Sequence, residues 1–189
     1  MNNYQSEKKL ILEYYSELDG ATGDDLFKIM DKYMATNYLW RGFYPFNEKH
    51  STQELVNDFW IPFKQSITRT QRRMDIFMAG NNSLENGGVW VVSMGHLMGL
   101  FDRDWLGIRS TGKMVFLRYC EFNRIENNKI RETAMYFDIP HLMTQVGLNP
   151  FNSQTGAHLV QPGPLHHDGL MFEIQDEWES KKTLKAIDF

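Results

Sequence analysis

A chain of 189 residues with a net charge of −4 suits one ordinary domain with a tail left over, and it carries no basic footprint for nucleic acid. Its single cysteine, Cys120, excludes an internal disulfide and any cysteine metal cluster. The 13 Phe, 11 Met, 8 Tyr and 5 Trp are enough to fill a core or to line a pocket for an apolar ligand, and composition alone leaves both open.

The amino terminus, "MNNYQSEKKLILEYY", has charges inside its apolar stretch and lacks the layout of a signal peptide, and no apolar run approaches a membrane span. The expectation is a soluble, cytoplasmic protein. Helical spacing of Leu10, Ile11, Tyr14, Tyr15 and Leu18 predicts a helix over 6–18, with Gly20 ending the pattern. A second helix is predicted over 24–34, with two acids in its first turn where the helix dipole favours them. The aromatic stretch "ATNYLWRGFYPFNEKH" reads as irregular. Ser51 and Glu54 form a capping-box pattern that opens a third helix through about residue 65.

After Thr68 the pattern changes to strands, predicted over 72–79, 89–100, 114–125 and 130–137. The basic run "RTQRR" (Arg69, Arg72, Arg73) reads as a solvated strand end. Asn127-Asn128 is a two-residue turn able to adopt positive φ, so Glu126 pairs with Lys129. That register puts Leu117 opposite Asp138, Tyr119 opposite Tyr136 and Glu121 opposite Ala134, all on one sheet face unless a bulge intervenes. A helix resumes over 138–146, with Gly147 placed to stop it. From Leu148 onward the chain is rich in Pro, Gly, Asn and Gln and reads as an extended tail or linker over 151–189. Its last stretch, "ESKKTLKAIDF", is faintly similar to "QSEKKLILEYY", as the start of a second repeat in a longer protein would be, although a plain surface helix also accounts for it.

Three helices followed by a run of antiparallel strands is an α+β arrangement. Asp138, followed by Pro140, has the features of a helix N-cap, a role worth about 1 kcal/mol that explains the residue without chemistry. An apolar surrounding would also raise its pKa and suit it to proton transfer. His96, in "SMGHLMG", fits either a buried, hydrogen-bonded histidine or a pocket acid. Glu121 is a second pocket carboxylate or the partner of an arginine. The "HHD" of His166 to Asp168 lacks any further ligand pattern, so no metal is expected.

The run "GHLMGLFDRDWLGIRSTGKMVFLRYCEFNRIENNKIRETAMYFDIPHLMTQVG" resembles the SnoaL-like polyketide cyclases, including the predicted ester cyclases, of the nuclear-transport-factor-like superfamily. The matching pieces are Gly95-His96, the turn from Gly107 to Lys113, the hairpin from Asn123 to Ile130, Asp138, and Gln145-Val146-Gly147. Ser110 stands where a proline is usual in that turn. The resemblance spans about residues 10–147, with residues 1–150 as the domain, and implies a cystatin-like conical barrel in which a curved antiparallel sheet wraps the amino-terminal helices around an apolar pocket. It further implies a homodimer formed through the sheet, no metal or organic cofactor, and a small apolar carbonyl-containing molecule as substrate. In the cyclases an acid matching Asp138 is general acid/base in an intramolecular aldol ring closure, and lyase or isomerase chemistry runs on the same fold. The expected site is therefore Asp138 and His96 as catalytic residues, with Tyr38, Trp40, Arg41, Leu117, Tyr119, Glu121 and Tyr136 contacting substrate. The alternative is a non-catalytic member of the fold that binds a small ligand or serves dimerisation.

Overall fold

The computed structural model describes residues 4–82, 87–151 and 163–187. Helices α1 (Gln5–Gly20) and α2 (Asp25–Tyr33) present the expected apolar stripes, Leu10, Ile11, Tyr14, Tyr15 and Leu18 from the first and Leu26, Ile29, Met30 and Tyr33 from the second. The aromatic stretch read as irregular is in fact strand β1 (Met34–Arg41), which buries Tyr38 and Trp40. After the short β2 (Glu48–Lys49), the third helix runs as α3 (Thr52–Leu55), a π-helical turn (Val56–Trp60) and α4 (Ile61–Ser66). Its cap forms as the sequence indicates, with Ser51 Oγ accepting from the Glu54 N–H at 3.2 Å. The Glu54 carboxylate reaches one residue further back than a standard capping box, to the N–H of His50 at 3.1 Å.

Strands β3 (Ile67–Asn81), β4 (Val89–Phe101), β5 (Met114–Glu126) and β6 (Lys129–Phe137) form an antiparallel meander. The six strands make one open, curved sheet in the order β2-β1-β6-β5-β4-β3, and the β1–β6 pair is parallel. Helices α1 to α4 cover its inner face. Between them lies an aromatic cluster in which Trp40 stacks on Phe59 at 5.5 Å and Phe59 on Phe137 at 4.9 Å, with Phe46, Phe63 and Trp105 packed around them. The pocket implied by the resemblance is thus occupied near β6 by the protein's own rings.

The hairpin turn is as read, with Asn127 at φ 50° and Asn128 at φ 57°, the two positive values that a tight two-residue turn requires. The register beyond it is not. A bulge at Arg131 changes the pairing from Ile125 with Ile130 to Arg124 with Glu132, so Tyr119 faces Phe137 and Glu121 faces Met135. The slip of one residue moves Tyr136 to the outer face, where it is 55% exposed and pairs with Cys120.

A second bulge, at Asp75 in β3, lies between the Met74–Gly95 and Ile76–Met94 pairs. It explains the glycine of the Gly-His step, because a Cβ on Gly95 would lie 1.9 Å from the Arg73 carbonyl oxygen. Gly95→Ala should therefore part the β3–β4 ladder and cost about 3 kcal/mol, the upper end of overpacking effects. Urea unfolding measures this as a lowered midpoint at unchanged slope.

Helix α5 (Ile139–Gln145) follows β6, and Gln145 ties it to β5 by accepting from the Phe116 N–H at 2.9 Å and donating to its carbonyl at 2.8 Å. The described part of the tail returns to the free edge of β3. The Phe77 N–H donates to Gly169 O at 2.9 Å, and the Met171 N–H to Phe77 O at 2.7 Å. Helix α6 (Glu177–Ile187) buries no residue. Among the described residues no helix is long and apolar enough to cross a membrane.

Candidate active site

The sheet divides the residues singled out from the sequence into two groups. Tyr38, Trp40, Leu117, Tyr119 and Glu121 project inward and are at most 3% exposed. His96 and Tyr136 belong to the outer side, Asp138 stands just past β6 beside Arg118, and Arg41 is an exposed rim residue paired with Glu48 and Glu132 at 2.6 Å each. One constellation containing all nine does not form.

The inner group is tied up by a residue read as solvated. Arg72 is buried, and its guanidinium donates to both Asp19 oxygens (3.1 and 3.2 Å) and to Glu121 Oε2 (3.2 Å). It stacks over the Tyr15 ring at 3.8 Å and lies 5.0 Å from that of Tyr119. Tyr119 shares a hydrogen bond with Ser93 at 2.7 Å, and Asn123 links the Tyr15 hydroxyl (3.2 Å) to Thr133 (2.7 Å). Burial raises the pKa of Glu121, and the Arg72 cation opposes that rise. Burial likewise pushes Tyr38 well up. Sequence reasoning missed Arg72 because it started β3 at residue 72. The strand begins at Ile67, which puts Arg72 within the sheet.

On the outer face a polar row crosses strands β3, β4 and β5 and ends just past β6. Arg73 pairs with His96 and His96 with Arg118, while the Asp138 N–H donates to the Arg118 carbonyl at 3.0 Å. At normal strand spacing the α-carbons of His96 and Asp138 lie roughly 10 Å apart, with Arg118 between them. Asp138 caps α5, its Oδ1 accepting from the His141 N–H at 2.9 Å, which leaves Oδ2 outside the cap. His96 is 1% exposed, and its pKa is lowered by burial and then by Arg118, against a smaller upward pull from Asp75. Its Nδ1 stands 3.5 Å from Asp75 Oδ2 in a geometry that makes no hydrogen bond. Asp75 had no signal in the sequence beyond being an acid within a strand. Among the described residues no three His, Cys, Asp or Glu side chains converge in a way that would hold a metal.

Further along the same face, an apolar groove of about 600 Å³ is lined by Met78, Trp90, Val92, Phe122, Ala134 and Tyr136. Val92 lies four residues from His96 on β4, roughly 13 Å at the rise of a strand.

The layered helices on a curved open sheet define the SnoaL-like, nuclear-transport-factor-like fold. The chain is similar to a proposed SnoaL-like polyketide cyclase from Jannaschia sp. CCS1, with 16% identity and TM-score 0.57 over 77% of this chain and 94% of that one. It is similar to AclR, a proposed hydroxylase from Streptomyces galilaeus, at 18% identity and TM-score 0.57 over 76% and 97% of the two chains. A proposed polyketide cyclase from Xanthomonas campestris pv. campestris matches at 15% identity and TM-score 0.57 over 77% and 99%. No family model and no curated protein matches the sequence.

Proposed function

We propose that this chain is an acid/base enzyme of the polyketide-cyclase kind, taking a proton from a carbon beside a carbonyl in a small apolar molecule. Ring closure by aldol addition, or a related lyase or isomerase step, follows from the carbanion so formed. The observation that carries the reading is the juxtaposition on one sheet face of an apolar groove with the row His96, Arg118 and Asp138. Asp138 Oδ2 is the base, and the Arg118 guanidinium is the cation available to developing enolate charge. His96, the neutral imidazole between Asp75 and Arg118, donates a ring N–H to the enolate oxygen, and the Asp138 carboxylic acid returns the proton it took. In this reading the interior residues Tyr38, Trp40, Leu117, Tyr119 and Glu121 hold the sheet in shape from behind.

A generic 1,3-dicarbonyl probe with an apolar substituent tests it through loss of deuterium from the activated carbon, followed by NMR. Catalysed exchange is expected, and His96→Gln is expected to lower it by about 10²-fold, the low end of general acid–base effects. Exchange at the buffer rate, with a folded protein, sinks the reading.

The second reading is a binding or dimerisation module. Its supporting observation is the same groove, where Tyr136 (55%) and Met78 (38%) are exposed, taken with the filled interior. A second copy seated there gives a dimer mass by light scattering at micromolar protein, and Tyr136→Lys reduces it to the monomer. A monomer mass for the wild-type chain removes this occupant.

A further inference from the structure

The buried charges of the interior are paired and hydrogen-bonded; those beside His96 are ion-paired without a hydrogen bond. Asp75 and His96 are each 1% exposed, yet neither carboxylate oxygen and neither ring nitrogen has a partner in hydrogen-bonding geometry. The neighbouring ion pairs, Arg73 Nε to Asp75 Oδ1 at 3.3 Å and His96 Nδ1 to Asp75 Oδ2 at 3.5 Å, are loose. Buried polar atoms left in this state are destabilising. Such groups are candidates for a functional site.

What covers the Asp75 side of the pair comes from far along the chain. Gly163 sits directly on the Asp75 carboxylate, so close that a Cβ would lie 2.6 Å from both oxygens. Gly169 passes the Asp75 backbone less closely, a Cβ there meeting the Asp75 carbonyl at 3.2 Å. The segment is held by its two backbone bonds to Phe77, by the Phe172 ring 5.2 Å from that of Phe77, and by Lys8 of α1. The Lys8 ammonium, 4% exposed, donates to the carbonyls of Met171 (2.6 Å) and Glu173 (3.1 Å). Burial lowers its pKa, with Glu173 pulling the other way, so the anchor carries a desolvation cost of its own. An edge contact of two backbone bonds, one lysine and the partly buried Leu170 and Phe172 belongs to the part of a fold that opens locally without global unfolding.

We propose that residues 163–173 are a detachable strap closing an Asp75–His96 site, and that a ligand reaches His96 only when the strap leaves the edge of β3. The inference rests on the reading that His96 acts on the substrate's oxygen in the proposed proton-transfer reaction. Its ligand class is therefore the same carbonyl compound, entering the outer face between Arg73 and Arg118. Glycine at 163 is a requirement of the closed state, since any side chain there must displace either the carboxylate or the strap.

Acylation of His96 by diethylpyrocarbonate, located by peptide mass, reads strap opening directly and independently of turnover. Lys8→Met and Gly163→Val are each expected to raise the labelling rate of His96 by about tenfold or more while a cooperative melt is retained. Amide hydrogen exchange on the unaltered protein is the parallel measurement and needs no variant to fold. The Phe77 and Met171 amides are expected to exchange at least roughly 100-fold faster than those at the centre of the β4–β5 ladder. Exchange of Phe77 and Met171 only at the rate of global unfolding makes the segment a fixed part of the fold and overturns the strap. Unchanged His96 labelling in a variant whose Phe77 amide has become fast also overturns it, because the strap would then leave His96 covered. Rapid labelling of His96 without any catalysed deuterium exchange sinks the proton-transfer reading and leaves the strap standing.

Discussion

Asp138→Asn is expected to lower base-catalysed exchange by about 100-fold or more while leaving the fold intact. The two oxygens of Asp138 have separable duties: Oδ1 accepts the His141 N–H at 2.9 Å, and Oδ2 is the candidate base. Asparagine keeps an oxygen for the first duty and is as good an N-cap, so the stability change stays within about a few tenths of a kcal/mol. Its amide nitrogen cannot take a proton at neutral pH, so the second duty is lost. Asp138→Ala loses both and costs about 1 kcal/mol as well. Rates on a dicarbonyl probe, set beside urea midpoints, separate the two roles. Equal rates for the wild-type and Asn proteins make Asp138 a cap only and shift the weight to the binding reading.

Arg72→Met is expected to be the most costly single change in the interior, at about 3–5 kcal/mol, the usual penalty for stripping one partner from a buried ion pair. It leaves Glu121 with no cation and Asp19 with its two charge-assisted bonds gone. The loss depends on pH in a definite direction. Burial holds the Glu121 pKa above its ordinary 4.5, and without Arg72 nothing comparable opposes that rise. In the window between 4.5 and the raised value the folded variant binds more protons than the unfolded chain, so its stability rises as pH falls toward 4.5 and is poorest above the raised value. The Arg72→Met/Glu121→Leu pair should recover most of the deficit at pH 7, since an apolar substitute for both charges leaves neither buried alone. Midpoints at pH 5 and pH 8 decide it. A deficit below about 1 kcal/mol that ignores pH would mean water reaches Glu121 and the triad is not sealed.

What the sequence made legible was local. The Asn127-Asn128 turn, the Ser51 cap, the Asp138 cap and the apolar stripes of α1 and α2 each depend on residues a few positions apart. Failures came where a distant partner decides the outcome. Arg72 looks like surface until Asp19, 53 positions away, is known to lie against it. The aromatic segment at Tyr38 and Trp40 became a strand because β6 offered it a parallel edge. The bulge at Arg131 leaves no mark in the alternation of β6, yet it reverses the side of Tyr136 and so separates it from Tyr119. His96 and Asp138 were both legible as residues of interest. That His96 and Asp138 flank Arg118, with His96 turned away from Glu121, was a matter of register and could be learned only from the pairing.

The parallel seam between β1 and β6 has one more consequence, for the order in which the molecule is put together. Strands β3 to β6 can zip successively, each beside the one just made. The first strand to leave the ribosome has no such neighbour apart from the two residues of β2. Its main partner is the last strand of the sheet to be synthesised, so the seam closes only after the rest of the sheet exists. The sheet is thus completed at the strand made earliest, and Trp40, at the middle of the aromatic cluster, is among the last large side chains to find its place.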